Sequence, residues 1–227
     1  MIIIKFIIGT IIGSFSSLVS IRTLRNESII SPRSHCDNCN RRLTPLEMIP
    51  IISFIILKGK CHDCKQPIGY LNLISEIIMG CICLQFSLNV NSIFTILFEW
   101  ILLLISLFDV QKMIIPTKLI HLLLIIVVIQ QLINFDFNLI KFSLVLLSYT
   151  IISGINQRYS WIGNGDIDII WIILLKTNLN MSIISLFISS CLVIIFQIAS
   201  KYDKKRPIPY APFLFAAFII TNTFVKI

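Results

Sequence analysis

Apolar segments of helix length follow one another along most of this chain. A helix needs roughly 17 to 25 mainly apolar residues to cross about 30 Å of hydrocarbon. The sequence has eight candidate segments, of which the sixth is short. They lie near residues 3–21, 70–88, 92–109, 115–134, 138–156, 166–176, 181–200 and 210–225. The pattern predicts an all-α fold, a polytopic membrane helix bundle of about eight spans.

The composition excludes a water-soluble globular protein. Of the 227 residues, 56% are hydrophobic and 13% are charged, whereas soluble domains carry about 25% charged residues. Burying this much apolar surface requires a lipid bilayer as partner. A secretory signal peptide is not expected, because the first apolar run contains Lys5 and has no small-residue cleavage site.

Positive charge is distributed unevenly between the two sides of the predicted bundle. If the N-terminus lies outside, one side receives fifteen of the 19 Lys and Arg residues, and the other receives Lys5, Lys141, Lys176 and Lys226. Cytoplasmic loops carry the excess of Lys and Arg, so the loop at 22–69 is predicted to be cytoplasmic. Topology and anionic lipid account for the net charge of +8, and nucleic acid is not expected as a partner.

Two pairs of cysteines lie in the predicted cytoplasmic loop. The loop contains "CDNC" at 36–39 and "CHDC" at 61–64, and two C-x2-C pairs at this separation are typical of a four-thiolate zinc site. The alternatives are two disulfides or four unused thiols, and a reducing cytoplasm argues against the disulfides. The predicted metal ligands are Cys36, Cys39, Cys61 and Cys64.

The apolar run "MIPIISFIIL" at residues 48–57 does not fit the series of spans. It is too short, and it is interrupted by Pro50. We expect it either to lie at the membrane interface or to pack beneath the membrane domain.

Small residues recur every four positions in the first span, at Gly9, Gly13 and Ser17. Residues of this size at helical spacing let two helices approach closely within a membrane. They predict a packing face and not a catalytic or binding site.

Two aspartates are predicted to lie at the same membrane depth. Asp109 ends the third span and Asp166 begins the sixth, and both ends are cytoplasmic in the predicted orientation. Ionisable residues inside membranes are candidates for function. The alternatives are ordinary ones, since Asp166 could cap a helix and Asp109 could mark where a helix leaves the bilayer.

Several motifs follow one another in a recognisable order. They are "GSF" at 13–15 with Arg22, "SPRSHCDNC", "LTPLEMIPIISFIILKGKCHDC", "GYLNLISE", "FDVQKMIIP", "GNGD" and "IPYAPFL". The "GNGD" stretch matches the GxGD motif of membrane aspartyl proteases. From residue 9 to about 214, the chain resembles the prepilin peptidases, also called type IV leader peptidases.

The resemblance implies an endopeptidase that cleaves the basic leader from type IV prepilins or pseudopilins of competence and secretion systems. It implies that Asp109 and Asp166 are the catalytic dyad, and it places the enzyme in the bacterial cytoplasmic membrane with its active site facing the cytoplasm. Gly163 and Gly165 are expected to let backbone approach the substrate, and Glu76 to contact substrate or cofactor or to have a structural role.

The resemblance also implies a second activity, the N-methylation of the new N-terminus with S-adenosylmethionine as cofactor. Proteolysis itself needs no cofactor. The chain departs from the usual family pattern at Gly69, Thr117, Asp168 and Ala211, so the presence of methylation is left open. A non-catalytic zinc-loop scaffold of a pilus or secretion assembly is the alternative from another class.

The chain is expected to have three parts. Residues 1–21 form the first transmembrane span, residues 22–69 form the double C-x2-C loop, and residues 70–227 form the membrane-embedded protease domain.

Overall fold

The structure is a computed structural model that describes residues 1–87, 89–135, 138–159, 162–200 and 207–224. Within these residues it contains nine α-helices, one 3-10 helix (Pro45–Met48) and no strand. The helices are α1 (Ile2–Leu24), α2 (Ile52–Ile56), α3 (Tyr70–Leu84), α4 (Val90–Lys112), α5 (Thr117–Ile133), α6 (Leu139–Tyr159), α7 (Asn164–Lys176), α8 (Leu179–Ser200) and α9 (Ala211–Phe224). The all-α prediction is confirmed for the described part of the chain.

Each of the eight predicted apolar segments corresponds to one helix. The remaining described helix, α2, lies in the 48–57 segment. Four helices, α1, α4, α6 and α8, are long and apolar enough to cross a membrane. The helices α3, α5, α7 and α9 are shorter, with 13 to 17 residues each. Some sequence predictions concern residues outside the described part, namely Leu88, Lys201, Lys204, Lys205, Arg206, Val225 and Lys226.

The chain divides into two compact units, residues 1–96 and 97–227. In the first unit, α1 and α3 pack closely through the predicted small-residue face. A Cβ atom on Gly13 would lie 2.3 Å from the carbonyl oxygen of Ser75, and one on Gly9 would lie 2.4 Å from that of Met79. The two helices are therefore antiparallel, and only glycine allows their backbones to come this near.

The second unit is built around α4, whose side chains from Phe98 to Asp109 are almost all buried. Phe98 stacks on Phe218 of α9 at 5.0 Å between ring centroids. The short helix α7 packs against α5 and α6, and the indole of Trp171 donates to the carbonyl oxygen of Val145 at 2.9 Å. The helix that carries Asp166 also contacts α8 and α9.

Candidate functional site

The four predicted metal ligands lie together in the first unit. The sulfur atoms of Cys36 and Cys64 are 3.8 Å apart, those of Cys39 and Cys61 are 4.0 Å apart, and all four lie within 4.8 Å of one another. A tetrahedral ion with metal–sulfur bonds of about 2.3 Å places its sulfur ligands about 3.8 Å apart. The cluster therefore has the size of a four-thiolate metal site.

Each C-x2-C pair sits in the same kind of turn. The N–H of Cys36 donates to the carbonyl oxygen of Arg41, and the N–H of Cys61 donates to that of Gln66, both at 2.9 Å. The residue after each pair has a positive φ, 55° at Asn40 and 60° at Lys65. Two equivalent turns offset by twenty-five residues thus present two sulfur atoms each to one point.

The surroundings of the sulfurs favour the thiolate form at Cys61 and disfavour it at Cys64. Backbone N–H groups of Cys64 and Asp63 donate to the Cys61 sulfur and lower its pKa to about 6. The N–H of Gln66 favours the Cys64 thiolate, but desolvation and the neighbouring sulfurs outweigh it and raise the pKa of Cys64 to about 11. A divalent cation would relieve this crowding of negative charge.

A second set of contacts ties the two turns together. The Arg41 guanidinium pairs with the carboxylate of Glu47 and, at 2.9 Å, with that of Asp63. Hydrogen bonds from Thr44 and the charge of Arg41 keep the pKa of Glu47 below its usual value. The 3-10 helix that contains Glu47 is thereby fixed to both cysteine turns.

In the second unit, Asp109 occupies a buried position in the last turns of α4. Its Oδ2 atom accepts the N–H of Ala211 at 3.0 Å, and the backbone N–H of Tyr210 also donates to this carboxylate. Ala211 is the first residue of α9. The start of that helix therefore fixes Asp109, which does more than mark a point of exit from the bilayer.

Asp166 lies in the first turn of α7, close enough to Asp109 for the charge of Asp109 to act on it. Gly163 is the residue at the N-cap, so Asp166 is not the helix cap that the sequence left as an alternative. Its Oδ1 atom is buried and has no hydrogen-bond partner among the described residues. Buried polar atoms of this kind are rare and call for an explanation.

Both glycines of the "GNGD" stretch lie in close contacts, and the contact of Gly165 is with a neighbouring segment of the chain. A Cβ on Gly163 would lie 2.9 Å from Oδ2 of Asp166, and one on Gly165 would lie 2.9 Å from Cβ of Ile115. The start of α7 can therefore approach the segment that follows Asp109. The sequence analysis expected these glycines to let the backbone approach the substrate. The structure shows that Gly165 lets the backbone approach Ile115 of the same chain.

Asn156 in α6 holds the turn that leads into α7. Its side-chain amide accepts the N–H of Ile162 at 3.0 Å and donates to the carbonyl oxygen of Ile162 at 2.7 Å. The same Nδ2 atom donates to Oδ1 of Asn164 at 2.9 Å. A single buried side chain thus fixes the backbone at Ile162, directly before the stretch from Gly163 to Asp166.

The far end of α7 is fixed as well. The Lys141 ammonium donates to the carbonyl oxygens of Leu175 and Thr177 at 2.9 and 2.8 Å, and so caps the C-terminus of α7. Lys176 interacts electrostatically with the buried Glu99 of α4. Glu99 precedes Asp109 by ten residues in α4, and Lys176 follows Asp166 by ten residues in α7, which corresponds to about 15 Å along each helix. The same two helices therefore carry two pairs of ionisable residues, about 15 Å apart.

Two other acidic residues have partners of their own. Oδ1 of Asp168 accepts the hydroxyl of Tyr149 at 2.8 Å, so this carboxylate is directed toward α6. Oε2 of Glu76 in the first unit accepts the backbone N–H of Ile51 at 2.7 Å. Of the two roles expected for Glu76, the structure shows this structural contact.

Comparison with known proteins identifies the family. The bacterial peptidase A24 N-terminal domain matches residues 7–90, and the type IV leader peptidase family matches residues 96–198. The chain belongs to the type IV leader peptidase family. These two matches fall one in each compact unit, and with the apolar helices they make the chain a multi-pass membrane protein.

Several relatives of this chain carry the name prepilin leader peptidase/N-methyltransferase. The Bacillus subtilis protein is 28% identical over 97% of this chain and 93% of its own length. The Dichelobacter nodosus protein is 25% identical over 82% of this chain and 69% of its own length. The Myxococcus xanthus protein is 35% identical, but over only 33% of this chain and 22% of its own length. No solved structure shows a significant match.

Sequence reasoning missed Asn156 and the role of Ala211. Asn156 stands in an apolar helix eight residues before Asn164, and a polar side chain in such a helix is a usable signal. Ala211 belongs to the "IPYAPFL" motif, but it acts through its backbone N–H. Because every residue except proline has a backbone N–H, the residue type at position 211 could not predict this hydrogen bond.

We predict that Asn156→Ala lowers kcat for leader cleavage about 100-fold while KM changes much less. The substitution leaves the Ile162 N–H and carbonyl groups without their partner, and small displacements of a catalytic group have costs of this order. The measurement is steady-state cleavage of a prepilin peptide in detergent or nanodiscs.

The matched control is Ser153→Ala, one turn earlier on the same helix, because the Ser153 hydroxyl bonds only to Thr150 of its own helix among the described residues. This variant should retain full activity. Equal effects of the two substitutions would contradict the assignment.

Proposed function

We propose that this chain is an aspartic endopeptidase that removes the basic leader from type IV prepilins or from pseudopilins of competence and secretion systems. The observation that carries the proposal is the pair formed by Asp109 and Asp166. The names of the relatives support the substrate class. The catalytic role of the two aspartates is part of the proposal.

The pair has the properties that peptide hydrolysis requires. Cleavage needs a base that takes a proton from water and an acid that gives one to the leaving amine. Two neighbouring carboxylates share one proton and can exchange these roles. The pair titrates as a unit, and the unpartnered Oδ1 of Asp166 offers water or the scissile peptide an acceptor.

The protein holds the two carboxylates differently. Asp109 is immobilised by the N–H groups at the start of α9. Asp166 depends on the turn held by Asn156 and on the close packing of Gly165 against Ile115. Preorganisation of this kind lets the catalytic groups act without rearranging the backbone.

We also propose that the active site faces the cytoplasm. The uneven distribution of Lys and Arg supports this orientation, since it places the end of α4 and the start of α7 on the positive side. A prepilin keeps its basic leader in the cytosol, ahead of an apolar helix. Its scissile bond would then lie at the same membrane boundary as Asp109 and Asp166.

Zinc is the metal that we assign to the four cysteines. Four thiolates at tetrahedral separations match a structural zinc site, and the spacing of the sulfur atoms in this chain supports that choice. Zinc would stabilise the loop at 22–69 and take no part in hydrolysis.

S-adenosylmethionine is the cofactor for the second activity that the names of the relatives include. A cavity of about 490 Å³ in the first unit has the size of a small-molecule site. Its lining includes the acidic residues Glu27 and Glu76, which would attract the positive charges of this cofactor. When bound, the cofactor supplies the methyl group for the new N-terminus.

Substitution of either aspartate tests the proposed reaction. Asp109→Asn and Asp166→Asn should each reduce leader cleavage by at least about 100-fold, because each role needs a group that can titrate. Co-expression with a prepilin, followed by mass spectrometry of the product, measures the loss of the leader and any added methyl group.

Asp168→Asn is the matched control, since it lies in the same helix but faces Tyr149, and its product should lose the leader as in the wild type. Cleavage by Asp109→Asn or Asp166→Asn at the wild-type rate would exclude the aspartic mechanism. A wild-type chain that neither cleaves nor methylates would favour the scaffold instead.

Metal analysis tests the zinc assignment. Purified protein should hold about one zinc ion per chain, and Cys36→Ser or Cys61→Ser should lose it and become sensitive to proteolysis in the loop, because metal binding contributes to folding in so small a module. Cys81→Ser, in α3, should keep the metal. A metal-free wild-type loop of equal resistance would refute the assignment.

Thiol labelling in intact cells tests the orientation. In a background with Cys81 and Cys191 changed to serine, Asn89→Cys should react with an impermeant reagent from outside. Ser28→Cys should react only after the membrane is opened. The reverse pattern would place the active site on the other face.

A further inference from the structure

The 48–57 segment turns sharply and then reverses its direction. The N–H of Ile52 donates to the carbonyl oxygen of Pro50 at 2.6 Å, which closes a γ-turn at Ile51, where φ is 61°. A positive φ is unfavourable for a β-branched residue. The helix α2 follows directly, and the chain turns back at Lys58 and Gly59, both with positive φ.

The contacts between α1 and α3 show how far along α1 the turn at Ile51 lies. Gly13 faces Ser75 and Gly9 faces Met79, so Glu76 is level with residue 12 of α1. The helix α1 runs from Ile2 to Leu24 and is long and apolar enough to cross the membrane. Glu76 therefore branches from α3 roughly 15 Å from either end of α1, near the middle of the span.

A hydrogen bond brings the turn to the same depth. Oε2 of Glu76 accepts the N–H of Ile51 at 2.7 Å, and a glutamate side chain reaches only about one helical turn, ~5 Å. Hydrocarbon offers no partner to a backbone N–H group, so irregular backbone at this depth must be bonded within the protein. The buried Glu76 carboxylate provides that bond.

The two faces of the segment differ. Ser53, Phe54 and Leu57 line the cavity that also borders α1, and the Phe54 ring packs on Tyr70 at 5.8 Å. On the other face, the side chains of Ile52, Ile55 and Ile56 are 53%, 66% and 72% exposed. Exposure of three large apolar side chains on one face is unfavourable in water and favourable in lipid.

We propose that the 48–57 segment is a re-entrant element of the membrane. Its innermost turn at Ile51 is held by Glu76, and Ile52, Ile55 and Ile56 contact lipid acyl chains. Lys58 and Lys60 follow where the chain returns toward the polar side, where they can reach anionic headgroups. The segment thus forms the membrane-embedded wall of the cavity in the first unit.

Photo-crosslinking in native membranes tests this proposal. A p-benzoylphenylalanine residue would replace Ile55 or Ile56 in the full chain, and mass spectrometry would identify what it captures. Both sites should give phospholipid adducts in a yield comparable to that from Ile8, an exposed apolar position on α1. Asn38, at the exposed tip of a cysteine turn, should give none.

If the face with Ile52, Ile55 and Ile56 contacts protein or water and not lipid, the crosslinking will give different adducts. Crosslinks to residues 97–227 or to a second copy of the chain, without phospholipid adducts, would overturn the proposal. So would the absence of any adduct at Ile55 and Ile56 when Ile8 captures lipid, since the segment would then face water.

Substitution of Glu76 tests the hydrogen bond to the turn. Glu76→Gln keeps an acceptor for the Ile51 N–H and should retain the phospholipid adducts at Ile55. Glu76→Leu removes the acceptor and should lose them. Retention of the adducts in Glu76→Leu, with yields equal to the wild type, would show that Glu76 does not hold the turn.

Discussion

Hydrocarbon cannot form hydrogen bonds, and the arrangement of the polar residues in this protein follows from that constraint. Every backbone or side-chain polar group inside the membrane must find its partner within the protein. Asp109 accepts N–H groups at the start of α9, Lys141 caps the end of α7, and Glu76 accepts the N–H of Ile51. These contacts add to the buried apolar side chains in fixing the positions of the short helices α3, α7 and α9.

One group that departs from this rule lies in the proposed active site, and Oγ of Ser185 in α8 is another among the described residues. Oδ1 of Asp166 is buried and has no hydrogen-bond partner among the described residues, although leaving such a group unpaired costs about 1–3 kcal/mol. The contacts around this atom stabilise the start of α7 and offset that free-energy cost, since Asn156 fixes the preceding turn and Gly165 packs on Ile115. A protease needs an acceptor for substrate or water, and this atom is the one that we propose for that role.

The loop at 22–69 is stabilised in a different way. It has few buried apolar side chains, and among those of the four cysteines only that of Cys61 is buried. A module of this size rarely folds on hydrophobic burial alone. Four sulfur atoms at tetrahedral separations and the Arg41 pairs with Glu47 and Asp63 provide the missing stability, and metal binding would contribute most of it.

The sequence by itself determined the helices, the cysteine site and the two aspartates. Length and apolarity predicted the eight segments, C-x2-C spacing predicted the metal ligands, and helix direction predicted a common depth for Asp109 and Asp166, because these features depend on residue type and local spacing. The tertiary structure alone decided the partners of Asp109, the hydrogen bonds between Asn156 and Ile162, and the contact between Glu76 and Ile51. The backbone donors that carry two of these contacts, at Ala211 and Ile51, are common to all residues except proline. Which acceptor each one meets depends on chain segments up to 102 residues apart, and only the packed helices bring those segments together.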